Sequence, residues 1–210
     1  MFNRFRSIAG LALVFAAPVA GAQAISGAAT GLASPAQTIT FEGQAGGSAA
    51  NTQYSGLGVT FGGSHLYYQT SGYFSSTGGS ATALTNFPSS CPCISPSDIF
   101  FSSAINGAAF QFITNTGTST FTALLAGNTV YAFSAPTSLA GRSTPQWYGF
   151  DNTISFDQIN IVSGGGNTAF ALDNLETGAV SAPEPASLTL LATGLVGMFG
   201  VARRRRNRAV

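Results

Sequence analysis

The sequence contains no lysine, and charged residues of either sign make up only 7% of its 210 residues. Between residues 25 and 180, one strong base, Arg142, stands against six acidic residues, which gives this segment a formal charge of −5. A segment of that sign cannot neutralise phosphates, so nucleic acid is excluded as a partner. The low charge does not indicate disorder, because aromatic and β-branched residues are plentiful.

Long apolar runs are also few, and the clearest lies at the C-terminus. Residues 186–202 carry no charge over 17 positions, a helix of about 25 Å that is just long enough for a bilayer core. Two prolines precede the run and an arginine cluster follows it, which holds that end in the cytoplasm. The length of this apolar run and the arginines that follow it would also fit an ordinary single-pass membrane anchor. The residues concerned are Pro183, Glu184, Pro185, Arg203, Arg204, Arg205 and Arg206.

This order of Pro-Glu-Pro, short apolar helix and arginine cluster resembles the PEP-CTERM sorting signal. The resemblance covers residues 181–210, with Ala182 where valine is commoner. It implies recognition by an exosortase of a Gram-negative bacterium, cleavage near Pro-Glu-Pro, and delivery from the inner membrane to the cell surface or an extracellular matrix. It also implies association with a biofilm or an exopolysaccharide. The resemblance indicates where the protein is delivered and does not imply any activity.

The N-terminus has the composition of a secretory signal peptide. Arg4 and Arg6 precede a short apolar stretch, and Ala22-Gln23-Ala24 is a small-x-small site for signal peptidase. We therefore expect residues 1–24 to be removed by cleavage after Ala24, with a second candidate site ending at Ala22. The exported body is then residues 25–180, which is long enough for one domain with a real core.

Cysteine and histidine are scarce in this body. Cys91 and Cys93 flank Pro92; an oxidising compartment favours their pairing, but a loop closed over one residue is tight, so the sequence leaves the disulfide open. Zinc would need two further ligands, and the chain has a single histidine, His65. No Gly-x-Ser-x-Gly elbow accompanies His65, so we expect no catalytic residues and no enzyme.

The body consists of short runs rich in Val, Ile, Thr, Phe and Tyr, separated by Gly, Asn, Ser and Pro. Alternation places Phe110 with Phe112, Tyr131 with Phe133, and Phe170 with Leu172 on shared faces. This pattern predicts an all-β fold, a single β-sandwich. We interpret residues 164–167, Gly-Gly-Gly-Asn, as the loop of a final hairpin. The predicted strands are residues 37–41, 57–62, 98–101, 108–113, 119–125, 129–134, 146–150, 154–162 and 168–176.

The two ends of the body are similar to jelly-roll modules of the galactose-binding and MAM type. Thr-Phe-Glu-Gly at residues 40–43 opens the first predicted strand, and Ala-Leu-Asp-Asn-Leu at residues 171–175 closes the last. The resemblance implies that these strands lie together and that Glu42 and Asp173 hold a structural cation. Ca²⁺ suits such carboxylate and carbonyl oxygens. The alternative is that both are solvated carboxylates at a sheet edge; no other cofactor is expected.

Aromatic residues cluster at two places, around Tyr67 and Tyr68 and at Trp147. Exposed rings of this kind stack on sugars, whereas aromatic residues more commonly fill the core. Two function classes follow. The first is a non-enzymatic structural protein of the surface or matrix, and the alternative is a secreted carbohydrate-binding module that uses these rings.

Overall fold

The computed structural model describes residues 23–63, 66–70, 82–87, 96–138, 145–151, 154–166 and 168–178. This part of the chain is all-β, and its helical turns are two short 3-10 segments, Ser55–Leu57 and Ser163–Gly165. Among these residues, no helix is both long and apolar enough to cross a membrane. Residues 1–22 of the predicted signal peptide and the apolar run 186–202 lie outside the described residues.

The strands are short and follow the turn residues closely. Their bounds are β1 (Gln23–Ala28), β2 (Gln37–Ile39), β3 (Val59–Gly63), β4 (Tyr67–Thr70), β5 (Thr82–Thr85), β6 (Ser97–Ile105), β7 (Ala108–Thr114), β8 (Thr118–Leu125), β9 (Asn128–Pro136), β10 (Gln146–Asp151), β11 (Phe156–Val162) and β12 (Phe170–Thr177). Each of the nine predicted runs coincides with one of these strands, whereas β1, β4 and β5 were not predicted.

The strands form two antiparallel sheets. The seven-stranded sheet has the order β1-β10-β7-β12-β5-β4, and β2 also pairs with β12. The five-stranded sheet has the order β3-β6-β11-β8-β9. The prediction of an all-β body built from two sheets is confirmed.

The core lies between the sheets and is largely aromatic. Phe121 on β8 is fully buried and reaches across to the seven-stranded sheet, stacking on Tyr148 with ring centroids 5.3 Å apart. It also meets Phe112 edge-on at 5.3 Å and stacks on Phe133 at 5.1 Å. Such ring pairs add to the free energy gained from area burial. The sandwich is therefore held by one interlocked set of rings.

The predicted alternation is confirmed at all three pairs. The rings of Phe110 and Phe112 are 6.0 Å apart and both are buried. Phe170 and Leu172 share the same core. Tyr131 and Phe133 both pack against Phe150, with ring centroids 6.1 and 5.4 Å away.

The prediction of a hairpin between the last two strands is wrong. β11 belongs to the five-stranded sheet and β12 to the seven-stranded sheet, so the connection crosses between sheets. It turns at Gly164, whose φ of 54° favours glycine. The Gly164 N–H donates to Ser119 Oγ at 3.0 Å, and Ser163 Oγ donates to the Thr168 carbonyl at 2.7 Å. A glycine run signals a turn and carries no information on which sheet receives the next strand.

β1 begins before the expected mature N-terminus. Gln23 pairs with Asp151 and Ala24 pairs with Phe150, two of the five paired positions of this edge strand. Cleavage after Ala24 would remove both, whereas cleavage at the second candidate site, after Ala22, would leave β1 complete.

Candidate functional site

Asp173 occupies a bulge of β12 and is completely buried. The register of β12 against β7 shifts between Asp173 and Glu176, and Asn174 takes a left-handed backbone with φ of 51°. The Asn174 N–H donates to Asp173 Oδ1 at 2.7 Å, and Asn174 Nδ2 donates to Gln111 Oε1 at 2.9 Å. Bulges of this kind redirect side chains at sites, and this one turns a carboxylate into the protein.

Two tyrosines lie in the same region. Burial raises the pKa of Tyr54, and the charge of Asp173 raises it further. Burial, followed by the charge of Tyr54, raises the pKa of Tyr68. Phe41 packs on both rings, with centroids 5.7 Å from Tyr54 and 6.3 Å from Tyr68. The Asp173 carboxylate therefore acts on the Tyr54 phenol, which shares Phe41 as a neighbour with Tyr68.

The strand that precedes Glu42, β2, runs beside the strand carrying Asp173, as the resemblance implied. β2 pairs with β12 through Ile39 and Leu175, and Phe41 continues from β2 into the core. Glu42 itself is exposed. One carboxylate is thus buried on β12, and the other faces solvent in the turn that follows β2.

No group of three or more His, Cys, Asp or Glu side chains gathers around a common point in the described residues. A cation at Asp173 would therefore draw its remaining oxygens from backbone carbonyls, amides or water, which Ca²⁺ accepts. An ionised carboxylate in the core is costly without a partner charge. The described residues include no lysine or arginine. Binding of Ca²⁺ by Glu42 and Asp173 stays a prediction.

The three aromatic residues predicted to bind a ligand have different exposures. Tyr68 has no accessible surface and belongs to the core. Tyr67 and Trp147 are half-buried. Stacking on a sugar would therefore rest on Tyr67 and Trp147.

Trp147 is partly covered by the segment that follows β1. A side chain at Gly31 would come within 2.6 Å of Trp147 Cε3, so the glycine lets the backbone pass close over the ring. The next residue, Leu32, donates its N–H to Glu176 Oε2 at 2.7 Å. Burial raises the pKa of Glu176, although this hydrogen bond lowers it.

Sequence reasoning missed a polar patch on the outer face of the five-stranded sheet. Asp98 accepts the side-chain amide of Gln158 at 2.9 Å and that of Asn160 at 2.7 Å. Phe100, two residues along β6, is 37% exposed. Alternation along the predicted strands 98–101 and 154–162 could have indicated this patch. Asp98 and Phe100 are spaced by two on one strand, as are Gln158 and Asn160 on the other, and all four face outward.

A cleft of about 200 Å³ opens where β12 ends. Its apolar lining includes Leu57, Val59, Phe101 and Ile105, and Gly178 closes one side. The sorting residues Pro183 to Pro185 and Arg203 to Arg206 lie outside the described residues, as do Cys91, Cys93 and His65.

The described residues form an all-β domain of two antiparallel sheets, and a sorting segment follows it in the chain. Residues 181–206 match the PEP-CTERM protein-sorting motif. The protein is therefore an exported, exosortase-targeted protein whose precursor is anchored in a membrane. No curated protein and no solved structure matches the chain.

Proposed function

We propose that the protein is a non-enzymatic structural component of the cell surface or extracellular matrix, associated with biofilm exopolysaccharide. Signal peptidase releases residues 1–24, an apolar helix at residues 186–202 anchors the precursor in the inner membrane, and exosortase cuts near Pro183-Glu184-Pro185. The observation that carries this proposal is the sorting motif at residues 181–206.

The composition of the body supports a structural role. The described carboxylates are spread over both sheets, with Asp98 on β6, Asp157 on β11, and Asp173 and Glu176 on β12. Asp157 is engaged by the backbone, since the Ala126 N–H donates to both of its oxygens at 3.2 and 3.0 Å. A sandwich of this size with an aromatic core needs no further chemistry to serve as a rigid surface module.

The processing step is tested by mass spectrometry of the C-terminal peptide of protein released from the cell surface. Cells lacking exosortase serve as the control. We expect surface protein that lacks residues 203–210, and retention of the intact chain in the control membranes. Intact residues 186–210 on surface-released protein would reject processing.

A carbohydrate-binding module is the second candidate, supported by the partial exposure of Tyr67 and Trp147. A glycan array with the wild type, Tyr67→Ala and Trp147→Ala tests it. Selective binding that both substitutions abolish would favour this candidate. Tyr68→Phe is the matched control, because Tyr68 is buried and the substitution keeps the ring.

A further inference from the structure

The outer face of the five-stranded sheet carries an exposed phenylalanine beside several polar side chains. Phe100 is 37% exposed, whereas Phe101 beside it is buried. Its ring reaches Gly62 on β3, where an added Cβ would come within 2.5 Å of Phe100 Cε2. Because glycine has no side chain, the Cε2 edge of the ring can approach the neighbouring strand this closely. The exposed part of the ring is left toward solvent.

The same face presents hydrogen-bond acceptors beside this ring. Gln158 pairs with Phe100, and Asn160 pairs with Asp98. Both side-chain amides donate to a single oxygen, Asp98 Oδ1. Within the described residues, no donor reaches Asp98 Oδ2 or the two amide oxygens. The mutual hydrogen bonds therefore fix the side chains while their remaining acceptors stay available.

Hydroxyl side chains extend the patch on both sides. Thr60 pairs with Phe100 from β3, and Thr122 pairs with Asn160 from β8. Four neighbouring strands at the usual spacing give a surface of about 14 Å, wide enough for a short run of pyranose rings. We define Thr60, Asp98, Phe100, Thr122, Gln158 and Asn160 as the outer-face patch.

We propose that the outer-face patch binds a neutral pyranose polysaccharide, with one sugar stacked on Phe100 and its hydroxyls donating to Asp98 Oδ2 and the amide oxygens. The chemistry matches in both parts: the apolar C–H face of a pyranose fits an aromatic ring, and its hydroxyls can donate to the acceptors that the patch leaves available. An anionic polymer is disfavoured, because the patch carries the Asp98 charge and the described residues contain no lysine or arginine.

This proposal deepens the proposed association with exopolysaccharide and names a site different from Tyr67 and Trp147. The test uses purified full-length protein in a zwitterionic detergent without a sugar headgroup. Isothermal titration with cellohexaose, xylohexaose and mannohexaose is carried out in EDTA, so that no metal bridges the sugar. Because this assay is independent of sorting, its failure is distinguishable from failure of exosortase processing.

Three variants and one control test whether the outer-face patch is the binding site. Phe100→Ala removes the ring, and Asp98→Asn keeps the shape while placing an amide donor where Oδ2 accepted. Gly62→Ala displaces the ring without removing a contacting group. Val130→Ala is the control, because Val130 is 39% exposed on the edge strand β9 of the same sheet.

We expect at least one hexasaccharide to bind the wild type and the control equally. Each of the three variants should weaken binding on the order of tenfold, which corresponds to the loss of one good contact. Unchanged thermal unfolding of Asp98→Asn would show that its weaker binding is not a folding defect. The proposal is overturned if no hexasaccharide binds, if binding requires calcium, or if binding survives Phe100→Ala and Asp98→Asn.

Discussion

The substitution Asp173→Asn separates a calcium site from a buried carboxylate without a cation. The side chain is completely buried, and asparagine keeps its shape while removing the charge. The Asn174 N–H, which donates to Asp173 Oδ1, retains an acceptor in the variant. Any large effect on stability therefore arises from the charge and from whatever binds it.

A calcium site and a buried carboxylate without a cation predict different effects of Asp173→Asn on Tm. If Ca²⁺ binds only the folded state, a hundredfold excess over Kd adds about 2.7 kcal/mol to the free energy of unfolding. For a domain of this size that is about 5 to 11 °C in Tm. Asp173→Asn then removes most of this gain. If no cation binds, the substitution replaces a buried carboxyl group by a neutral amide of the same shape, and Tm stays constant or rises.

The assay is thermal unfolding of the wild type, Asp173→Asn and Glu42→Gln, in millimolar calcium and in excess chelator. Asp98→Asn is the matched control, because Asp98 lies on the other sheet and should keep the full calcium response. We expect calcium to raise the Tm of the wild type and control only. An unchanged wild-type Tm, together with no bound metal by elemental analysis, would refute the calcium site.

Three further predictions concern the core, a titrating group and the N-terminus. Phe121→Ala should lower the free energy of unfolding by about 3 to 5 kcal/mol in denaturant titrations, because it empties the centre of the ring cluster; a loss below 1 kcal/mol would contradict its central role. Burial raises the folded-state pKa of Glu176 above 4.5, so its contribution to stability is present below that pH and is lost as pH rises through the folded-state pKa. Glu176→Gln should therefore gain Tm relative to the wild type between pH 5 and pH 8, and a constant difference would contradict this. A chain beginning at Gln23 should have a free energy of unfolding about 1 to 2 kcal/mol higher than one beginning at Ile25, because the shorter chain loses β1 hydrogen bonds. The longer chain should therefore have the higher Tm, and equal Tm values would show that these residues add nothing.

The sequence predicted most of the sandwich because its strands alternate in a period of two. Phe110 and Phe112 are an example: these two rings are spaced by two along β7, and both lie in the core. β1 was missed because it overlaps the expected signal peptide. β5 was missed because its four residues are all buried and show no alternation. Local patterns specify faces well and strand partners poorly.

The candidate sites were predictable only where a short motif marked them. Glu42 and Asp173 came from a resemblance between the two ends of the body, and the pairing of β2 with β12 is the part of that idea that the fold confirms. Asp98 and Asn160 are 62 positions apart. Their meeting depends on the register of β6 against β11, which no single-strand pattern contains.

The sorting segment follows the last strand of the domain, so processing of the segment can be considered separately from the fold. β12 lies inside the seven-stranded sheet, between β7 and β5, and contributes buried Leu172 and Leu175 to the core. At its end the Gly178 N–H donates to the Gly107 carbonyl at 2.7 Å. The described strands therefore end before Pro183, and a cut near Pro183 removes none of them and none of the described core residues. The outer-face patch lies on the other sheet, so tethering the chain through the end of β12 leaves that sheet's pairing intact both before and after processing.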